Sequence, residues 1–217
     1  MPPTATILDT LDADALRRLA AARLLPEPTI LGTPHSSPSD FDLNPDYVLP
    51  GDVTLKPAAV LIAICARSPL TVLLTERTPH LSAHAGQIAF PGGRIDATDT
   101  DAAAAAIREA NEEIGLDPAL VEPLGYLDPY RTSTGYLITP VVALVQPRFE
   151  VKPNPAEVAD VFEVPLAFLM DQTNHLIESR QWRGAERRFY AMPYNQRYIW
   201  GATAGIIRTL SRRLFAQ

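Results

Sequence analysis

The chain has 217 residues, 47% hydrophobic and 20% charged, a composition that suits one sizeable globular core. A net charge of −6 argues against a general nucleic-acid binder, and a single cysteine, Cys65, excludes an internal disulfide framework and fits a reducing, cytoplasmic setting. No apolar run reaches the ~18 residues of a membrane span, and the first residues carry acids where a signal peptide would be basic and then apolar.

Leu8, Leu11, Leu16, Leu19 and Leu24 predict a helix over 12–25, capped by Asp12 and stopped by Pro26 and Pro28. Residues 26–57 hold seven prolines and little periodicity, so they read as an extended arm rather than a second domain. His35 reads as a solvated loop residue. The expected organisation is therefore a helix and proline-rich arm over 1–57, followed by one domain over 58–217. Residues 58–66 (AAVLIAICA) and 71–77 (TVLLTER) predict two neighbouring strands. A short strand over 87–90 ends at Pro91-Gly92-Gly93, and a long helix comes next. Further strands are expected over 121–127 and 137–145, with the polar YRTSTGY stretch, 130–136, between them. Residues 160–164 read as a short extended piece and 165–171 as a helix opened by Pro165. Strand fragments follow over 189–192 and 198–200. Residues 201–215 form an amphipathic helix with Ile206, Ile207, Leu210 and Leu214 on one side. Mixed strands with a few helices predict a layered α/β fold.

The chemistry concentrates between Gly92 and Leu116. Glu109, Glu112 and Glu113 stand at i, i+3 and i+4, so their carboxylates share a sector of ~100° on a helix. Such like charges repel, and the negative end of the helix dipole disfavours them further. A bound cation would offset both costs, and hard oxygen donors favour Mg²⁺ or Mn²⁺. Ala103, Ile107, Ala110 and Ile114 form an apolar stripe roughly opposite. Asp99 or Thr100 can cap the helix and Gly115 can end it in the left-handed conformation. Gly92 and Gly93 allow a tight turn and a close backbone approach to a ligand. His80 and His175 have no metal-site spacing.

FPGGRID followed by REANEEIGL resembles the Nudix hydrolases, whose box is G-x5-E-x7-R-E-U-x-E-E-x-G-U with U apolar. Arg108, Glu109, Ala110, Glu112, Glu113, Gly115 and Leu116 match its second half. In the first half, 14 residues rather than 13 separate Gly93 from Arg108, and Asp99 or Thr100 stands where the box has its first glutamate. Residues 73–96 are similar to the segment before the box in the coenzyme A pyrophosphatases of this superfamily, through Leu73, Leu74, Thr75, Arg77, Gly86 and Phe90 to Arg94. Thr78 replaces Ser or Ala of that pattern, and Ser82 replaces Arg.

The resemblance implies an α/β/α sandwich with a mixed sheet and a loop–helix–loop metal site. It implies Mg²⁺- or Mn²⁺-dependent attack of water on the diphosphate of coenzyme A or its thioesters, giving 3′,5′-ADP and (acyl-)phosphopantetheine. Other nucleoside diphosphates, such as ADP-ribose or a dinucleoside polyphosphate, and a non-catalytic ligand-binding module remain alternatives. Glu109, Glu112 and Glu113 are the expected metal ligands, with Arg108 orienting a carboxylate. Glu157 is the candidate general base from a loop after the box, with Glu163 as the weaker choice. Arg77, His84, Gln87, Gly92, Gly93 and Arg131 are candidate substrate contacts, and Tyr130 or Tyr136 could stack on adenine. The expected partner is a small nucleoside diphosphate derivative rather than nucleic acid or membrane, and a homodimer is left open.

Overall fold

Helix α1 (Ala13–Arg23) precedes strands β1 (Lys56–Cys65), β2 (Thr71–Arg77), β3 (Ile88–Ala89) and β4 (Gly92–Arg94), and then helix α2 (Ala102–Ile114). Strands β5 (Val121–Tyr126), β6 (Tyr130–Arg131), β7 (Tyr136–Val145) and β8 (Val158–Pro165) follow, then the short helix α3 (Leu166–Met170). The chain closes with β9 (Leu176–Trp182), β10 (Ala185–Tyr194), β11 (Arg197–Trp200) and helix α4 (Ala202–Phe215). This computed structural model describes residues 8, 10–29, 37–46, 54–80, 86–182 and 184–215, with Trp182 by its backbone alone.

β1 and β7 run parallel and in register from Lys56 beside Tyr136 to Cys65 beside Val145. Alternate side chains serve opposite faces. Ala59, Leu61, Ala63, Cys65, Val141, Ala143 and Val145 lie under α2. Ile62, Ile64, Val142 and Leu144 face the cluster that holds α1, α3 and α4. Burial on both faces is why these strands read as continuous apolar runs. β2, β5 and β8 add antiparallel pairings, so the sheet is mixed and the layers are α/β/α, as expected.

One irregularity of this sheet positions the site. β1 and β2 pair only at their hairpin end, Ile64 with Val72 and Cys65 with Thr71. Beyond that they splay, and residues 88–94 fill the gap. β3 pairs with β2, β4 pairs with β1, and the amide of Leu61 donates to the carbonyl of Pro91 at 2.8 Å.

The cap of α2 corrects the expectation. Asp101 holds that place, its carboxylate accepting from the amide of Ala104 at 2.8 Å. Asp99 is drawn away to Arg108, which leaves Asp101, immediately ahead of the helix, to accept from one of its free amides. Gly115 ends the helix at φ 68°, as expected.

β9, β10 and β11 form a separate antiparallel sheet. β9 has no counterpart in the sequence reading, and β10 starts earlier than the apolar fragment at 189–192. Most of β9 faces solvent, so LIESRQW lacks the apolar alternation that marks a half-buried strand. Asp12 caps α1, which buries Leu16 (0% exposed) and Ala20 (1%) in the core shared with α4. Residues 37–46 lie in turns against β6 and β10. There Asp40 accepts from the Tyr130 hydroxyl and from Ser133, and Asn44 bonds both backbone groups of Arg188.

Candidate active site

Gly92 sits where the chain crosses the splay, at φ 155°. A Cβ there would lie 2.4 Å from the carbonyl oxygen of Ala59, so only glycine fits. Its amide donates to Oε2 of Glu113 at 3.1 Å. Gly93 gives its open face to Glu109, and a Cβ on it would lie 2.4 Å from that carboxyl carbon. The two glycines thus meet two of the three glutamates of α2.

Glu113 is only 3% exposed. Burial pushes its carboxyl up to about 7, against the pull of the Gly92 amide and Arg77 and with the push of Glu109 and Glu157. Burial also raises Glu109, which Arg108 partly offsets. Glu112 projects into solvent, with Arg108 Nη1 3.4 Å from its Oε2. Arg108 grips Asp99 through Nε and Nη2 at 2.9 Å each and gives Nη1 to Glu109 at 2.9 Å. Its Nη2 also donates to the carbonyl of Arg94 at 3.2 Å, tying α2 to the end of β4.

The loop before β8 is fastened at both ends. Lys152 and Asn154 donate their amides to the carbonyls of Ile114 and Glu113, at 2.7 and 2.8 Å. The amide of Thr78, just past β2, donates to the carbonyl of Glu157 at 3.0 Å. This strap carries Glu157 to the cluster, close enough that its charge raises both Glu109 and Glu113. Glu163 points elsewhere. Arg67 holds it with Nε at 2.9 and 2.7 Å, and the Thr71 hydroxyl donates to it.

Arg77, the last residue of β2, places Nη1 3.6 Å from Oε1 of Glu113, and its buried Nε has no partner among the described residues. Gln87 lies across from it, accepting the Arg77 amide on its carbonyl at 3.0 Å. His84 and Ser82 lie outside the described residues, as does His35. Arg131 is not brought to the glutamates. It pairs with Leu137 on β7, beside Pro57 of β1, about 14 Å from β4 by three strand spacings. Its guanidinium stacks on Phe41, 4.7 Å from the ring centre. The expectation that Tyr130 could stack on a base is corrected. It is 4% exposed, its hydroxyl bonds Asp40, and its ring fills the space left by the missing side chain of Gly205 on α4.

The donor chemistry fits a hard divalent cation. Glu109 and Glu113 lie against the Gly92–Gly93 turn, Glu112 stands on the same helix in solvent and Glu157 on the adjacent loop, and the buried Glu113 has only a glycine amide and a distant arginine against its charge. As they stand, no three of the described carboxylates form a metal-ligand group; Arg108 engages Glu109 and the Gly92 amide engages Glu113.

The family model described as the NUDIX domain matches residues 55–183. The chain belongs to the Nudix hydrolase family. Among Nudix relatives, the uncharacterized Nudix hydrolase NudL of Escherichia coli K12 is 45% identical over 157 residues, 72% of this chain and 82% of that protein. The Nudix hydrolase RenU of M. smegmatis is similar in structure with a TM-score of 0.42 and 25% identity, over 55% of this chain and 73% of that one. An Ap4A hydrolase of C. elegans, solved as a binary complex, gives a TM-score of 0.44 and 19% identity over 50% and 80% of the two chains.

Proposed function

We propose that this chain hydrolyses the diphosphate of coenzyme A or its thioesters, giving 3′,5′-ADP and (acyl-)phosphopantetheine. The observation that supports the hydrolytic reading is that Glu113 and Glu109 lie against Gly92 and Gly93 beside Arg77, with the charge of Glu157 acting on both. The substrate follows from residues 73–96, whose pattern resembles the coenzyme A pyrophosphatases.

Glu109, Glu112 and Glu113 would hold Mg²⁺ or Mn²⁺, which when bound neutralises diphosphate oxygens and favours ionisation of water. Arg108 fixes the direction of Glu109, since it is itself fixed by Asp99. Arg77, whose Nε has no partner among the described residues, would donate to a phosphate oxygen. Gly92 and Gly93 would meet the diphosphate only through backbone atoms of their turn, since Ala59 and Glu109 already fill the space a side chain would take at each. Glu157 takes the proton from the attacking water. The water oxygen bonds to phosphorus, the bridging P–O bond breaks, and the leaving phosphate carries the electron pair away. Gln87 and His84 are candidate substrate contacts in this reading. Arg131 meets only a part of the substrate remote from the diphosphate.

Ser82, standing where the coenzyme A pattern has arginine, favours a second reading in which the substrate is ADP-ribose or a dinucleoside polyphosphate. A product assay with coenzyme A, ADP-ribose and diadenosine polyphosphates side by side, each with Mg²⁺ and with Mn²⁺, tests both. Coenzyme A should be cut fastest. If it is the poorest of the three, the coenzyme A reading fails, and activity that persists in excess chelator removes the metal reading.

A further inference from the structure

β9 is an edge strand of a kind that proteins usually blunt. It spans seven residues, and among the described residues it pairs with β10 on one side only. It carries neither proline nor lysine, and its charges are one of each sign, Glu178 and Arg180. The β5 edge shows the contrast, with Pro123, a register shift, and a bridge from Leu25 at Tyr126. Two of the three exposed large apolar side chains among the described residues lie on β9, Leu176 at 43% and Ile177 at 56%.

The charges of β9 are arranged about its middle. Glu178 and Arg180 flank Ser179 and stand on the same face, opposite Phe189 and Arg187 of β10. Both are held in place. Glu178 accepts from the Tyr198 hydroxyl, and Arg180 lies 5.5 Å from the ring centre of Trp200 and 6.0 Å from that of Phe189. Among the described residues Arg180 has no carboxylate at ion-pair distance in its own chain.

We propose that β9 is the interface of a homodimer, two copies pairing antiparallel, edge to edge, about a two-fold axis at Ser179. In that register Glu178 of each copy faces Arg180 of the other, so one contact occurs twice, as a two-fold interface requires. An axis at Glu178 or at Arg180 would set like charges against each other, which is destabilising for directly opposed strand residues. Ser179 on the axis has a small side chain, and Ile177 falls opposite Gln181, where it loses exposure. The two three-stranded sheets become one of six strands, and the open backbone groups of β9 find partners.

Sedimentation equilibrium of the full chain tests this. The expected mass is twice 23.7 kDa, and a monomer across the micromolar range overturns the proposal. Glu178→Arg and Arg180→Glu should each weaken association by about tenfold or more, since each places like charges opposite twice. Mixing the two single variants should restore a dimer, because every facing pair is then of opposite sign. A dimer indifferent to the single changes, or variants that stay monomeric when mixed, overturns the register. Hydrogen exchange on the unaltered protein gives a reading free of mutation: the β9 amides should exchange faster on dilution, and rates independent of concentration refute the pairing.

Discussion

Arg108 and Asp99 are joined by two hydrogen bonds of 2.9 Å across nine residues, and this pair sets the direction of Glu109. The guanidinium holds Asp99 down at about 2, so the aspartate stays charged under all ordinary conditions. Asp99→Asn should therefore leave the helix intact, because Asp101 is its cap, yet lower turnover by about 10- to 100-fold and raise the Mg²⁺ needed for half-activity. A metal titration of the variant checks this, and an unchanged metal requirement would contradict it.

Gly93→Ala puts a methyl 2.4 Å from the Glu109 carboxyl carbon, and that side chain must give way. The expected outcome is a loss of at least about tenfold in kcat with little change in far-UV dichroism, since the clash falls on a carboxylate rather than on the core. Steady-state kinetics beside a melting curve separates this from general unfolding.

Glu113 makes a pH prediction for the protein in chelator. Its carboxyl is raised from 4.5 to about 7 in the folded state, so the folded form binds the proton more readily than the unfolded one. Its contribution to stability is fully present below pH 4.5 and is lost as the pH rises through 7. A rise of that size makes the loss on the order of 3 kcal/mol between pH 4.5 and pH 8. Glu113→Gln should flatten this limb, which denaturant unfolding at a series of pH values would reveal. Mg²⁺ should restore stability at pH 8 to the unaltered protein and not to the variant.

Glu157 and Glu163 can be told apart by rate. Glu157→Gln should reduce kcat by about 10²- to 10⁴-fold with a small effect on KM. Glu163→Gln should leave kcat within about twofold, because Arg67 and Thr71 already engage that carboxylate away from the cluster. The reverse order would move the base to Glu163.

Buried elements were the legible part of this molecule. β1, β2 and β7 are apolar on both faces, so their runs announce them, and α2 shows its stripe, its acids and its terminating Gly115. What stayed hidden depends on contacts distant in sequence. Which acid caps α2 turns on Arg108 reaching back to Asp99. Tyr130 looks available until Gly205 opens a hole for it 75 positions away. β9 is a strand because β10 folds back on it, and its own residues mostly meet water. The convergence of Glu157 with Glu113 rests on backbone bonds to Thr78 and Glu113 that no side-chain pattern records.

The N-terminal segment has a consequence for anyone who trims this chain. A fragment starting at residue 55, where the family match begins, keeps every candidate catalytic residue. It also strips Leu16 and Ala20 from the core shared with α4, and it removes Asp40 from Tyr130 and Ser133 and Asn44 from Arg188. The start of the family match is thus not the edge of the packed core.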